Sequence, residues 1–288
     1  TIVAVVGDID HIETKSLARS TPGYSGADLA ATVNEAAIMA ALQKCEEIQQ
    51  EHLDEARDKV RYGRQKKSRK MEEEDREITA YHEAGHAVIA AKLDDTDRPH
   101  KVTIVPRGRA LGATMVLPEK ESYHMQKKRL QNQLAVLFGG RIAEDVFCGD
   151  ISAGASDDIK RATDLARAMV TELGMSDKIG PINYAERQGS DFLGTELMAG
   201  RYHSEETTRE IDEEVKKILD DAYAVAEALI KDHREEIEQL VVALKRFETL
   251  SGEEIGQVLS GVSVDALRPE EETGEPAPIE VAEESVPA

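Results

Sequence analysis

The amino-acid sequence has few of the residues that cross-link secreted proteins or stack on nucleic-acid bases. Its 288 residues include two cysteines, Cys45 and Cys148, no tryptophan and only 4% aromatic residues. Two cysteines cannot build a disulfide framework, so the sequence favours a reducing compartment. The shortage of aromatic side chains leaves few platforms on which bases could stack, which argues against nucleic acid as a ligand.

Long apolar runs and an excess of positive charge are also missing. No run approaches the roughly 20 apolar residues of a membrane-spanning helix, and no secretory signal peptide is visible. The net charge is −21, since 57 acidic residues outnumber 36 basic ones, which disfavours nucleic acid and anionic membranes as partners. The chain begins with threonine, which suggests a fragment, yet its length suffices for one large or two ordinary domains.

The sequence does contain a histidine pair with the spacing of metal ligands. His82-Glu83-Ala84-Gly85-His86 places two imidazoles on one face of a helix, one turn apart, where both can reach one ion. Glu83 projects beside that ion and can act as a general base. A solvated helix surface is the alternative, but the apolar run after His86 favours burial. The motif therefore predicts a catalytic zinc site.

Hydrophobic periodicity predicts a mainly α-helical chain with a small β element. The predicted parts are a helical N-terminal region, a charged linker, a mostly helical catalytic domain and a disordered acidic tail with prolines, at residues 1–62, 63–75, 76–262 and 263–288. Within the catalytic domain, β-rich runs at residues 101–106 and 112–118 are bounded by glycine and proline. They predict a small hairpin-like or edge element.

Three local patterns predict where helices start or stop. Ser25 is followed by Asp28, an acidic variant of the capping box that predicts a helix start. The glycine pair at residues 139–140 predicts a break in a helix that begins near residue 125. Ser156 is a predicted N-cap, and the acidic residues 157–158 would then suit the first turn of the following helix.

A catalytic zinc usually takes three protein ligands, so the motif requires a third ligand from elsewhere in the chain. The metzincin extension is excluded, because the residues after His86 lack the required glycine and histidine. His124 and His203 lie in polar, poorly patterned stretches and are expected to be exposed. The residue pattern alone leaves Glu144 and Asp158 as nearly equal candidates.

Five motifs follow one another along the chain: STPGYSGADL, HEAGH, KVTIVPRG, GGRIAE and GASDDI, at residues 20–29, 82–86, 101–108, 139–144 and 154–159. In this order they resemble the FtsH family of membrane-anchored, ATP-dependent zinc proteases, over about residues 15–260. The resemblance implies one catalytic zinc held by His82, His86 and Asp158, with Glu83 as the base. Glu144 then takes a supporting role. Where the family often has asparagine before the third ligand, this chain has Asp157.

The same resemblance identifies residues 1–62 as the helical lid of an AAA-type ATPase module. The resemblance places Gly26 and Ala27 near the nucleotide, because small residues let the backbone approach a ligand closely. The alternative is that both residues only begin a helix. No G-x-x-x-x-G-K-[ST] occurs, so the chain by itself is not expected to hydrolyse ATP. For the full-length protein the resemblance implies ATP as a cofactor, a homo-hexamer, and an inner-membrane location through segments absent from this chain, with the catalytic part in the cytoplasm.

The predicted reaction is zinc-assisted hydrolysis of peptide bonds in unfolded or tagged proteins, as in protein quality control. A β edge at residues 101–105 or 114–117 would bind the substrate as an added strand. The alternative is a non-proteolytic oligomeric scaffold with a structural metal site. Glu83 argues against it, since a structural site needs no carboxylate at an open coordination position. Nucleic-acid binding through the basic residues 61–70 has little support beyond charge.

Overall fold

The computed structural model describes residues 12–65, 71–107, 111–117, 125–185 and 204–268. Within these residues the chain is mainly α-helical, as predicted, with ten α-helices and one three-stranded sheet. None of these helices is both long and apolar enough to cross a membrane. The candidate ligands His124 and His203 lie outside the described residues, as do the basic residues 66–70 and the tail from Pro269 onward.

Three helices form the N-terminal region: α1 (Thr14–Arg19), α2 (Gly26–Leu42) and α3 (Gln50–Tyr62). The predicted capping box at the start of α2 is confirmed. The Ser25 hydroxyl accepts the amide N–H of Asp28, and the Asp28 carboxylate accepts the amide N–H of Ser25 at 2.8 Å. The three helices and the loop between α2 and α3 bury a small core of their own, which includes Leu17, Val33, Ala36, Ala40, Ile48, Leu53 and Ala56.

A second, larger core surrounds helix α4 (Glu73–Lys92), which carries the histidine motif. The middle of α4 is buried on all sides, which its small and apolar residues Ala80, Ala84, Ala87, Val88 and Ile89 permit. The first turn holds Glu73, Glu74 and Asp75, which suit the positive end of the helix dipole. The acidic end of the predicted linker is therefore helical from Glu73 onward, while the domain boundaries stay a prediction.

A small antiparallel sheet lies beside α4. Its strands are β1 (Arg98–Thr103), β2 (Ala113–Leu117) and β3 (Thr249–Ser251), in the order β2-β1-β3. The pair β1–β2 is the β element that the sequence predicts, whereas β3 carries no such signal. Because β1 is hydrogen-bonded on both sides, it is not an edge. In the described sheet, β2 is the edge strand that contacts the histidine-motif helix.

Six further helices complete the larger core: α5 (Lys127–Ala143), α6 (Ser156–Thr171), α7 (Glu205–Asp232), α8 (Arg234–Phe247), α9 (Gly252–Leu259) and α10 (Val264–Leu267). A π-helical turn at Glu144–Cys148 and a short 3-10 turn at Ala153–Ala155 connect α5 to α6. These turns bring the start of α6 back towards the histidine motif of α4.

Three local predictions in this part of the chain are wrong. Helix α5 runs through Gly139 and Gly140 without a break. Both glycines are buried against α4, and because they have no side chains the two helices can pack closely. Ser156 is the first residue of α6 and not its N-cap, a position that Ala155 of the preceding 3-10 turn takes. Val264 is buried in α10, so the predicted disorder does not begin at residue 263.

Charged contacts join the N-terminal helices to the sheet. Asp58 of α3 is fully buried and accepts hydrogen bonds from Arg57 and, at 2.7 Å, from Nζ of Lys101 in β1. Burial opposes the ionisation of this carboxyl, but Arg57 and Lys101 hold the pKa of Asp58 below its ordinary value. A second pair joins Glu55 to the buried Arg107, whose two terminal nitrogens donate at 3.1 and 2.7 Å.

Candidate metal centre

The two histidines of α4 face each other across one helical turn. The Nε2 atoms of His82 and His86 lie 3.0 Å apart, as the spacing of four residues predicts. His86 is buried, and the side chain of His82 is only 12% exposed. The burial that the apolar run after His86 predicts is therefore confirmed, and the two histidines do not form a solvated surface.

Each histidine is held from behind through its other ring nitrogen. Nδ1 of His86 lies 2.7 Å from the carbonyl oxygen of Val136, and Nδ1 of His82 lies 2.6 Å from a carboxylate oxygen of Glu144. A carbonyl oxygen only accepts, so Nδ1 of His86 carries the proton and Nε2 keeps a free lone pair when the ring is neutral. Contacts of this kind orient metal-binding histidines.

Asp158 approaches the pair from the first turn of α6. Its Oδ2 atom lies 3.4 Å from Nε2 of His82 and 3.5 Å from Nε2 of His86. These three residues bring three potential ligand atoms within 4.8 Å of one another. No other group of histidine, cysteine and acidic side chains does so among the residues that the structure describes. The neighbouring Asp157 is exposed.

Glu144 and Asp158, the two candidates that the sequence left open, thus contact opposite sides of the same imidazole. One oxygen of Glu144 faces Nδ1 of His82, and the other accepts the amide N–H of Ser152 at 2.7 Å. Both oxygens are therefore engaged away from the side on which the Nε2 atoms and Asp158 meet. The geometry favours Asp158 as the third ligand and Glu144 as the support of His82.

The charges of this cluster suit a bound cation. Burial opposes a positive charge on His82, but hydrogen bonds to Asp158 and Glu144 outweigh that effect and raise the pKa of His82 to about 10. Burial alone would raise the pKa of Asp158, yet hydrogen bonds from His82 and His86 lower it. Two imidazole nitrogens and one carboxylate are the donor types of catalytic zinc sites. The residues therefore fit zinc, which would bind in competition with the proton on His82.

Three glycines, which the sequence patterns did not assign to the site, let the helices come close enough to form it. A Cβ on Gly140 would stand 2.5 Å from the His82 ring, and one on Gly85 would overlap the carbonyl oxygen of Gly139. The sequence signal was present but ambiguous. Gly85 lies inside the histidine motif, while the pair at 139–140 occupies a stretch that otherwise favours a helix.

The other predicted site residues have different environments: Glu83 is buried, whereas Gly26 and Ala27 are exposed. The carboxylate of Glu83 accepts a 2.6 Å hydrogen bond from the hydroxyl of Thr114 in β2, a contact that no sequence pattern predicts. Gly26 and Ala27 are exposed at the start of α2, and a Cβ on Gly26 would meet nothing within 4 Å. Their expected role at a nucleotide stays a prediction.

The chain matches two known protein families along most of its length. Residues 69–258 match the family model of peptidase family M41, and residues 11–55 match the model of the AAA+ lid domain. The first match includes both histidines, Glu83 and Asp158. The second covers most of helices α1 to α3.

Curated relatives agree with both matches. The chain is 49% identical over 249 residues to ATP-dependent zinc metalloprotease FtsH 2 of Methylacidiphilum infernorum (isolate V4), which covers 86% of this chain and 39% of the relative. It is 44% identical over 287 residues to ATP-dependent zinc metalloprotease FtsH of Caulobacter vibrioides (strain NA1000 / CB15N), with 99% and 45% covered. The chain thus spans less than half the length of these relatives. With the M41 model matched across the whole histidine site, the chain belongs to peptidase family M41.

Proposed function

We propose that this chain hydrolyses peptide bonds as a zinc metalloendopeptidase, with His82, His86 and Asp158 as the metal ligands and Glu83 as the general base. The observation that carries the proposal is the buried carboxylate of Glu83 beside a cluster of two imidazole nitrogens and one carboxylate. A structural metal site needs only the ligand cluster. The additional buried acid is what a hydrolytic site requires.

Each group of residues in the site has a separate proposed role in hydrolysis. A zinc ion held by the cluster would polarise the scissile carbonyl and make water more acidic. Glu83 then takes a proton from the attacking water and passes it to the leaving amine. Glu144 and the Val136 carbonyl hold the two imidazoles in the orientation that keeps their Nε2 atoms together.

The edge strand β2 supports a substrate that binds in extended form. Its one strand partner among the described residues is β1, so its other edge would be the place for an added strand. β2 also contacts Glu83 through Thr114, so a substrate paired with β2 would lie near the proposed base. Of the two β runs that the sequence offered for this role, β1 is paired on both sides, so we assign the role to β2. Main-chain pairing would accept many sequences, as degradation of unfolded or tagged proteins requires.

For the full-length protein we propose the wider role that the resemblance implies: ATP-dependent degradation of membrane and cytosolic proteins by a homo-hexamer at the inner membrane. The match of residues 11–55 to an AAA+ lid supports the link to ATP, and Gly26 and Ala27 are the proposed contacts with the nucleotide. The names of the relatives, ATP-dependent zinc metalloproteases, support the ATP-dependent proteolysis in this role.

The test is cleavage of unfolded casein by the zinc-loaded chain. Replacing Glu83 by glutamine should lower kcat by at least about 100-fold, the usual contribution of a general base, without changing the zinc content. Glu74→Gln, an exposed position on the same helix, serves as the matched control and should keep full activity. Equal activity of the Glu83→Gln variant and the wild type would exclude the general-base role. A zinc-loaded wild type that leaves casein uncut would favour a structural metal site in this chain.

A further inference from the structure

Thr114 in the edge strand touches the carboxylate that the proposed function makes the general base. Its hydroxyl lies 2.6 Å from Oε2 of Glu83 and 3.1 Å from the main-chain carbonyl oxygen of the same residue. A hydroxyl has one proton to donate, and the shorter contact leads to a charged acceptor. The geometry therefore directs the Thr114 proton to the carboxylate.

The strand also limits where the Glu83 side chain can lie. A Cβ on Gly112 would stand 2.7 Å from Oε1 and 2.8 Å from Cγ of Glu83, so the bare backbone at residue 112 forms one wall beside this side chain. Oε1 of the carboxylate lies next to the backbone of Gly112, and Oε2 accepts the Thr114 hydrogen bond. Both contacts come from the same segment, at the start of β2.

Orientation matters for this carboxylate because a glutamate side chain rotates about three bonds. A general base must stay within hydrogen-bond reach of the proton that it removes, and small displacements lower the rate strongly. Nothing in the helical spacing of residues 82–86 fixes the outer torsions of Glu83, whereas the histidines are fixed through their Nδ1 atoms.

We propose that Thr114 is a positioning residue for the base: its hydroxyl holds the Glu83 carboxylate in the orientation that hydrolysis requires. The inference rests on the proposed peptidase function. It also gives β2 two tasks, since the strand that would pair with the substrate backbone also fixes the base that acts on it. A substrate seated on β2 is thereby aligned with Glu83 by one element.

The kinetic test compares Thr114→Val with Thr114→Ser in the zinc-loaded chain. Valine keeps the shape and removes the hydroxyl, so kcat on unfolded casein should fall about tenfold or more, while KM changes by less than about twofold. Serine keeps the hydroxyl and should restore kcat to within about threefold of the wild type. Zinc content should be the same in all three proteins. A Thr114→Val variant with unchanged kcat, or a serine variant as slow as valine, overturns the proposal.

Thr103→Val is the matched control for a merely structural effect. Thr103 is buried in β1, and its hydroxyl contacts the Thr249 hydroxyl at 2.8 Å and the Glu248 carbonyl oxygen at 3.2 Å, not Glu83. This variant should lose stability in a denaturant titration and keep the kcat of the wild type. If Thr103→Val lowered kcat as much as Thr114→Val, loss of sheet integrity would explain both, and the positioning role would be wrong.

A crystallographic comparison decides the inference independently of activity. In zinc-loaded crystals, Glu83 should occupy one conformer in the wild type and in Thr114→Ser, with Oε2 within hydrogen-bond distance of residue 114. In Thr114→Val the carboxylate should leave that position or occupy several. An unmoved Glu83 in the valine variant rejects the proposal. If the wild type left casein uncut, the proposed function would fail, while this measurement would still decide whether Thr114 orients Glu83.

Discussion

Helix α4 and helix α2 each carry a glycine in a motif that predicts a ligand site, but their surroundings differ. Gly85 of α4 is buried against Gly139 of α5, with no room for a Cβ. Gly26 of α2 is exposed, and a Cβ there would meet nothing within 4 Å. The first glycine is required by tertiary packing. At residue 26, no tertiary contact requires glycine.

The same difference holds for the polar contacts of the two regions. The capping box at Ser25 and Asp28 closes within four residues of the sequence. The candidate metal centre, in contrast, combines α4 with Glu144, which follows α5, and with Asp158 of α6. Local sequence is therefore enough to build the first region, while the second exists only when α4, α5 and α6 are packed together.

The largest expected effect is a loss of zinc affinity at Asp158, the proposed third ligand, and it tests how far the site depends on distant segments. Asp158→Ala should weaken zinc binding by more than the roughly 10- to 100-fold that loss of a supporting contact costs, whereas Glu144→Gln should fall within that range. Asp157→Ala, the exposed neighbour, should bind zinc like the wild type. Competition titration with a zinc chelator measures all three. A larger loss of zinc affinity in Glu144→Gln than in Asp158→Ala would mean that Glu144 is the ligand and Asp158 the supporting residue.

Next comes the contrast between the two glycines. Gly85→Ala should lower the free energy of unfolding by about 3 kcal/mol, because the new methyl group overlaps the Gly139 backbone and forces α4 and α5 apart. Gly26→Ala should leave it unchanged or raise it by up to about 1 kcal/mol, since alanine favours the helix. Urea unfolding of the zinc-free variants gives both values. Equal stability of the two variants would contradict the difference in packing.

A smaller effect is expected where the two regions meet. Asp58→Asn should lower the free energy of unfolding by about 2 kcal/mol at pH 7, because it removes a buried carboxylate bonded to Arg57 and Lys101. The folded-state pKa of Asp58 lies below its unfolded value, so the stabilisation is present above about pH 4 and is lost as the pH falls through the folded-state pKa. Urea titrations between neutral and acidic pH should therefore show the variant and the wild type converging in acid.

Asp54→Asn serves as the control for the junction. Asp54 pairs with the same Arg57 at 2.9 Å, but its side chain is 35% exposed. Its replacement should change stability by no more than about 1 kcal/mol, as expected for a solvent-screened pair. A wild type and an Asp58→Asn variant that stay equally far apart at every pH would show that ionisation of Asp58 does not stabilise the fold.

The smallest effect belongs to the local cap of α2. Ser25→Ala should cost about 1 kcal/mol in the free energy of unfolding, because the amide of Asp28 loses its acceptor. The zinc affinity and the casein cleavage of this variant should match those of the wild type, since the cap lies outside the larger core around α4. A loss of zinc binding in Ser25→Ala would mean that the two regions are coupled more tightly than their separate cores suggest.

Features that depend on a few neighbouring residues can be predicted from the sequence alone. Helical periodicity puts His82 and His86 on one face, the capping box starts α2, and the apolar run after His86 predicts its burial. The first two follow from contacts within one helical turn, and the third is read from a run of neighbouring apolar residues, so the order of residues indicates each of them directly.

Tertiary packing places Asp158 beside the Nε2 atoms and Glu144 at Nδ1 of His82, keeps Gly139 and Gly140 inside a continuous helix, and brings Thr114 to Glu83. The low helix propensity of glycine predicts a break at residues 139–140, whereas in the folded protein the missing side chains allow two helix backbones to approach closely. Contacts between segments distant in sequence leave no local pattern. Their geometry is set by packing, which is why Asp158 and Thr114 reach the histidine motif only in the folded protein.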